Sequence, residues 1–137
     1  MSYIYNLGID FYQISSKLPT NIALICNNEE YTYTYLNKLS NQIAHYLISK
    51  GLKKGDVAGI FHNKTVLGFS FMLACLKMGV IYVNLDYHSP NIRLEKIIKR
   101  SKPKIILNSF DSNEEVIFSI VAITCCGGSN CILPTTV

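Results

Sequence analysis

The chain has 137 residues, 49% of them hydrophobic, and carries 13 Lys and Arg against 9 Asp and Glu. This size allows one domain with a real core and excludes two ordinary domains. The formal net charge of +4 is mild, and the basic residues are spread thinly apart from one cluster near Lys96. This distribution disfavours nucleic-acid binding.

The first twenty residues contain several aromatic residues but no long periodic run, so we expect a short helix that packs on the body. They show no basic segment leading into an apolar core and no small-residue cleavage site, so we expect no secretory signal and a cytoplasmic location. The most apolar region, Val66 to Val83, is interrupted by Ser70, Lys77 and Gly79. Its continuous run is too short to cross a bilayer, so we expect no membrane partner.

Two β-prone runs, NIALIC and EEYTY, are joined across Asn27 and Asn28. Asparagine tolerates left-handed backbone, and the pattern predicts a β-hairpin. Thr34 is then placed to cap a helix that runs to about Lys50 and is closed by Gly51. Apolar residues gather on one face of this helix and His45 lies opposite, so we interpret His45 as a solvated surface residue.

A β-α-β unit follows. Val57 to His62 is predicted as a strand, Asn63 as a cap, Thr65 to Met78 as a helix covered on most sides, and Val80 to Leu85 as a second strand. A crossover of this length favours parallel strands. The second strand has few polar interruptions, which is typical of a strand buried on both faces.

Gly79 is predicted to end the preceding helix, and Ser89 with Pro90 to start another. This helix, from Asn91 to about Ser101, has one basic side, and a further parallel strand begins at Pro103. The basic side consists of Arg93, Lys96, Lys99 and Arg100. Cationic residues suit phosphate groups, but our preferred interpretation is a solvated face on an amphipathic helix.

The stretch from Leu76 to Leu94, LKMGVIYVNLDYHSPNIRL, resembles an early signature of the adenylate-forming enzymes. This family includes acyl-CoA synthetases and the adenylation domains of nonribosomal peptide synthetases. The signature reads Leu-Lys-Ala-Gly, two variable positions, Tyr-Val-Pro-Leu-Asp, then a proline and an Arg-Leu pair. The residues that match in register are Leu76, Lys77, Gly79, Tyr82, Val83, Leu85, Asp86, Pro90, Arg93 and Leu94. The departures are Met78 for alanine, Asn84 for the first proline and Tyr87 for a proline that often follows the aspartate.

An earlier stretch, YTYTYLN, resembles the first signature of the same family, Leu-Thr-Tyr, a variable residue, Glu-Leu and often Asn. The matching residues are Thr32, Tyr33, Leu36 and Asn37. Tyr31 and Tyr35 replace the usual leucine and glutamate. Gly55, Asp56 and Val57 lie between the two signatures, where the family has Gly-Asp and a hydrophobic strand.

The resemblance implies an α/β fold: a partial parallel sheet with packed helices and a small N-terminal β-hairpin, equivalent to the start of an adenylate-forming N-terminal domain. We expect residues 1–20 to be an N-terminal extension, residues 21–108 a partial AMP-binding domain and residues 109–137 an atypical Cys-containing tail. Complete relatives use ATP and magnesium to activate an amino acid or another carboxylic acid as acyl-AMP, and pass the acyl group to a thiol carrier.

The resemblance ends after about Asn108. The run VIFSIVAI, which follows Glu114 and Glu115, is either one more strand or an exposed apolar segment that would promote aggregation. The family's later catalytic segments are not recognisable in the sequence. These are a Ser/Thr/Gly-rich phosphate loop ending in Pro-Lys-Gly, an aromatic-Gly-Thr-Glu segment, a Tyr/Thr-Gly-Asp segment and a lysine on a C-terminal domain. Gly127, Gly128 and Ser129 have no lysine or helix after them.

We therefore assign no catalytic, cofactor-binding or metal residue, and expect no cofactor for this chain alone. The five cysteines are expected to be free thiols, with Cys26 and Cys75 as small core residues. Cys125, Cys126 and Cys131 are too few for a structural zinc site, which uses four ligands.

Our leading hypothesis is a truncated member of the adenylate-forming family, inactive by itself. The alternative is a non-catalytic α/β interaction module that self-associates through its open sheet edge. A third hypothesis, nucleotide binding by the basic helix, would use Lys96 and Arg100.

Overall fold

The computed structural model describes residues 6–61 and 64–108 with side chains and residues 119–121 as backbone. The helices are α1 (Leu7–Lys17), α2 (Tyr33–Ser49), α3 (Val66–Met78) and α4 (Asn91–Ser101). The strands are β1 (Ile22–Cys26), β2 (Glu29–Thr32), β3 (Val57–Phe61), β4 (Ile81–Leu85), β5 (Ile105–Asn108) and β6 (Ser119–Val121). None of the helices in these parts of the chain is long and apolar enough to span a membrane.

The hairpin prediction is confirmed. Strands β1 and β2 pair antiparallel, and Asn27 and Asn28 have φ angles of 52° and 64°. Two consecutive residues with positive φ make the turn whose twist matches the twist of paired strands. The side-chain amide of asparagine makes this conformation less costly than it is for most residues.

The parallel sheet is also confirmed. The strand order is β4-β3-β5-β6, in which β3 pairs parallel with both β4 and β5. Val57 lies opposite Ile81, and Ala58 lies opposite Ile105. The short strand β6 pairs antiparallel with β5. Of the two interpretations of the run VIFSIVAI, residues 119–121 thus support the further strand.

Two hydrophobic cores lie on opposite faces of this sheet. The larger core joins α2 and α3 to the sheet residues Ala58, Ile60 and Leu107. The smaller core joins α4 to Phe61 and Ile106. Alternate strand residues thus enter different cores, as the two-residue period of a strand requires. Helix α1 contacts α3 and α2, which confirms the expected helix that packs on the body.

Two glycines end helices as predicted, but the start of α2 differs from the prediction. Gly79 caps α3 with a φ of 69°, and Gly51, with a φ of 82°, follows α2. The N-cap of α2 is Thr32, whose hydroxyl accepts from the Tyr35 amide at 3.2 Å. Thr34 is already helical, and its hydroxyl donates to the Pro19 carbonyl at 2.8 Å.

The prediction that Ser89 caps α4 is wrong. Pro90 is the N-cap of α4, and no side chain makes a capping hydrogen bond there. The Ser89 hydroxyl instead lies 3.5 Å from Asp86 Oδ2, because Asp86 folds the loop back on itself. Thr65 caps α3 through the Gly68 amide at 3.2 Å, whereas the predicted cap Asn63 lies outside the described residues.

The prediction that β4 is buried on both faces is wrong as well. Ile81 is 55% exposed, Tyr82 is 37% exposed and Asn84 is exposed. The reason is that β4 is the end strand of the sheet, with no further strand beside it among the described residues. An apolar sequence indicates a strand but does not reveal its position in the strand order.

Candidate functional site

The signature lysine Lys77 lies at a junction of three helices. It is in the last turn of α3, and its ammonium reaches α2, which begins in the other signature. Lys77 Nζ lies 2.6 Å from Asn37 Oδ1, 2.7 Å from Ser40 Oγ and 2.8 Å from Asn41 Oδ1. Burial lowers the pKa of Lys77 to about 8, so the amine remains mainly protonated at neutral pH and donates to these oxygens.

Helix α1 covers this junction. The Lys77 ammonium lies 5.6 Å from the centre of the Phe11 ring, a distance at which a cation is attracted to the ring face. A Cβ added to Gly8 would lie 2.9 Å from the Lys77 Cα and amide nitrogen. Glycine at position 8 therefore allows the α1 backbone to approach the α3 backbone directly. Residues of both signatures thus meet α1 at Lys77, and their contacts hold α1, α2 and α3 together.

A second junction forms around Asp56, which precedes β3. Its carboxylate lies 2.7 Å from Lys104 Nζ and accepts from the Lys53 amide at 2.7 Å. Its carbonyl accepts from the Ile81 amide at 2.8 Å, and the Gly55 amide donates to the Gly79 carbonyl at 2.9 Å. The Gly-Asp pair thus connects the amino ends of the parallel strands. The hydrogen bond from Lys104 holds the pKa of Asp56 below its ordinary value of 3.8.

We expect the Asp56–Lys104 contact to stabilise the fold at neutral pH and to fail in acid. Folding lowers the pKa of Asp56 below 3.8, its ordinary value in an unfolded chain. The contribution of this contact to stability is therefore complete above pH 3.8 and is lost as the pH falls through the lower pKa of the folded state. Urea unfolding of Asp56→Asn, Lys104→Met and the double variant measures the coupling between them. The coupling is expected to be small at neutral pH and absent in strong acid, and a coupling independent of pH would contradict this assignment.

The loop after β4 lies at the carboxyl ends of the parallel strands, where α/β proteins commonly bind ligands. Asp86 Oδ1 accepts from the His88 amide at 3.0 Å, and the Asp86 carbonyl accepts from the Ser89 amide at 3.0 Å. The Tyr87 ring packs edge-on against Phe61 at 6.2 Å. Asp86 is thus used to shape the turn into α4.

The basic side of α4 is exposed to solvent. Lys99 lies 3.9 Å from Glu95 one turn earlier, in a pair whose members are 73% and 42% exposed. Such surface pairs contribute little to stability. The residues Arg93, Lys96, Lys99 and Arg100 are all exposed, as our preferred interpretation of a solvated face requires. His45 is exposed too, as predicted.

An apolar groove that the sequence did not reveal lies between the hairpin, α1, α2, α3 and β4. Its volume is about 300 Å³. It is lined by Phe11, Ala23, Leu24, Leu36, Phe69, Met72, Leu73 and Tyr82. These residues come from five separate elements, so no local pattern could have indicated the groove. It presents no charged group, and therefore offers apolar contact rather than acid–base chemistry.

The described residues bring together no cluster of metal-ligating side chains. Nowhere in residues 6–61 and 64–108 do three His, Cys, Asp or Glu side chains come together. Magnesium in ATP-using enzymes is commonly held by one or two carboxylates together with the substrate phosphates, so this finding excludes only a site built from three or more of these side chains within those residues. Cys26 and Cys75 are free thiols, and burial raises the pKa of Cys75 to about 12, which keeps it unreactive. Gly127 to Ser129 and the three tail cysteines lie outside the described residues.

Comparison with known proteins identifies relatives that are similar in sequence and solved structures that are similar in fold. Gramicidin S synthase 1 of Brevibacillus brevis is 38% identical over 97 residues, which are 71% of this chain and 9% of that protein. A medium/long-chain fatty-acid–CoA ligase of Mycobacterium marinum is 36% identical over 70 residues, or 51% of this chain and 13% of the ligase.

The N-terminal subdomain of Klebsiella oxytoca NpsA, solved with anthranilyl-AMSN, shares the fold. It superposes with a TM-score of 0.73 at 24% identity, covering 77% of this chain and 28% of the NpsA chain. This chain therefore spans only a small part of the relatives it matches. The sequence model of the AMP-binding enzymes matches residues 11–131, most of the chain. On this match, the chain belongs to the AMP-binding enzyme family.

Proposed function

We propose that this chain provides the opening structural layer of an enzyme that activates an amino acid or another carboxylic acid with ATP. In that reaction the carboxylate attacks the α-phosphorus of ATP, acyl-AMP forms and pyrophosphate leaves. A thiol of a carrier then attacks the acyl carbonyl and AMP leaves. ATP with magnesium, the acid and the thiol carrier are the proposed substrates and partners of the complete enzyme, and the cytoplasm is its proposed location.

One observation carries this proposal: the signature residues coincide with the junctions that build the fold. Lys77 ties α3 to α2, Gly79 ends α3 in the left-handed conformation, and Asp86 turns the chain from β4 into α4. A chain that keeps these contacts keeps the scaffold on which the family places its chemistry. The family's later catalytic segments are not recognisable in this sequence, so we propose that the chain alone is inactive.

A chimera tests the proposal. Residues 11–108 replace the matched segment of gramicidin S synthase 1, the relative with 38% identity. We expect the chimera to retain acid-dependent exchange of pyrophosphate into ATP, and this chain alone to show none with the same acids. The unmodified synthase is the reference. A folded chimera without exchange would contradict the proposed role, and exchange by the chain alone would contradict its proposed inactivity.

A second candidate function is a non-catalytic module that self-associates through the open edge of the sheet. The exposed strand β4 favours it, since Ile81 and Tyr82 are 55% and 37% exposed on an end strand. Exposed apolar edge strands promote pairing with other chains. Light scattering during size-exclusion chromatography tests this candidate: a defined oligomer supports it, and a monomer at all concentrations contradicts it.

A further inference from the structure

The outer edge of β4 offers backbone hydrogen-bonding groups at two residues. The Ile81 amide donates to the Asp56 carbonyl at 2.8 Å, so the backbone groups of residue 81 point toward β3. Backbone direction alternates along a strand that pairs in register. The N–H and C=O of Tyr82 and Asn84 therefore point away from β3. Within the described residues no strand lies on that side.

Nothing in β4 protects this edge from pairing. Natural edge strands are commonly blunted by proline, by lysine or by other charged residues. The strand reads IYVNL and has neither a charge nor a proline. The family signature has proline at the position of Asn84, which would remove the outward N–H. Asparagine at this position restores a donor that points into solvent.

We propose that β4 pairs antiparallel with β4 of a second copy of this chain, centred on Val83. This inference rests on the second candidate function and gives it a site and a register. With Val83 opposite Val83 of the second copy, Tyr82 lies opposite Asn84 of that copy. Both residues point their backbone groups outward, so each such pair exchanges two hydrogen bonds. The strand is thus complementary to itself about a two-fold axis.

The side chains agree with this register. Tyr82 and Asn84 lie on the α3 side of the sheet, where Tyr82 lines the groove and the Asn84 amide lies 3.5 Å from Met72 Sδ. On the α4 side, Ile81 would lie opposite Leu85 of the second copy and lose its exposure to water. Apolar cross-strand pairs of this kind stabilise a sheet. The absence of charge on β4 removes like-charge repulsion between the copies.

The test is light scattering on the full chain over a series of concentrations, with two edge variants and a control. We expect the chain to form dimers as its concentration rises, and both Asn84→Pro and Tyr82→Lys to remain monomeric. Asn84→Pro should fold because the N–H it removes points away from β3. Ile92→Lys is the matched control, since Ile92 is 70% exposed on α4 and should leave the dimer intact. Circular dichroism verifies that each variant is folded.

Amide hydrogen exchange gives a second readout at residue level. In the dimer the amides of Tyr82 and Asn84 should exchange on the order of tenfold more slowly than at low concentration. The amides of Val83 and Leu85 face β3 and should not depend on concentration. A monomer throughout would overturn both this inference and the second candidate function. A dimer that survives both edge variants would overturn this inference alone.

Discussion

Replacing Lys77 by methionine should lower the free energy of unfolding by about 2 kcal/mol, because the charged hydrogen bonds from α3 to α2 are lost together. Methionine keeps the length and the apolar contacts of the side chain. It leaves Asn37 Oδ1 and Ser40 Oγ, which lie 2.6 Å and 2.7 Å from the ammonium, without this donor. Ser40 is fully buried, so water does not easily replace the lysine there.

Urea unfolding followed by circular dichroism measures this effect. Lys99→Met is the matched control, since Lys99 is 73% exposed and lies 3.9 Å from its carboxylate partner. The control should change stability by no more than about 0.5 kcal/mol. Equal effects of the two substitutions would show that Lys77 does not hold α2 and α3 together.

Replacing Gly8 by alanine should destabilise the chain by about 1–3 kcal/mol, although alanine favours a helix over glycine by about 1 kcal/mol. The added Cβ would lie 2.9 Å from the Lys77 Cα and 3.0 Å from the Leu76 carbonyl carbon. These are backbone atoms, which cannot move out of the way by a change of rotamer as the end of a side chain can. Helix α1 must therefore move away from α3, and Phe11 must move away from the Lys77 ammonium.

The sign of the change in unfolding free energy distinguishes the effect of packing from that of helix propensity. Unfolding experiments on Gly8→Ala should show a loss of stability, and trypsin should cut faster after Lys17 at the end of α1. Gln13→Ala is the control, since Gln13 is exposed on the same helix. A more stable Gly8→Ala variant would mean that α1 does not pack closely on α3.

Much of the fold could be predicted because its signals are local. The two asparagines of the hairpin and Gly79 at the end of α3 each act through their own backbone conformation. Cap positions are harder to predict because they depend on distant groups. Thr34 is a reasonable cap for α2, but Pro19 offers its hydroxyl an acceptor, and Thr32 caps the helix instead. The exposure of β4 depends on strand order, which the composition of a strand does not encode.

The candidate site was predictable only in part. The resemblance identifies Lys77 and Asp86 as signature residues, but it does not show what they contact. The oxygens around the Lys77 ammonium belong to Asn37, Ser40 and Asn41, which are separated from Lys77 by 40, 37 and 36 positions in the sequence. The role of Gly8 has no local signal either, because a glycine within a helix is informative only when the facing backbone is known.

We propose that the signature residues of this chain build the scaffold and take no part in the chemistry. Acid-dependent pyrophosphate exchange by the chimera with gramicidin S synthase 1 tests this role, with Lys77→Met introduced into the chimera and the assay run at a temperature where the variant is folded. We expect unchanged KM values for ATP and the acid, together with a lower thermal midpoint. A fully folded variant whose KM for ATP rises, or whose exchange disappears, would show that Lys77 takes part in the chemistry.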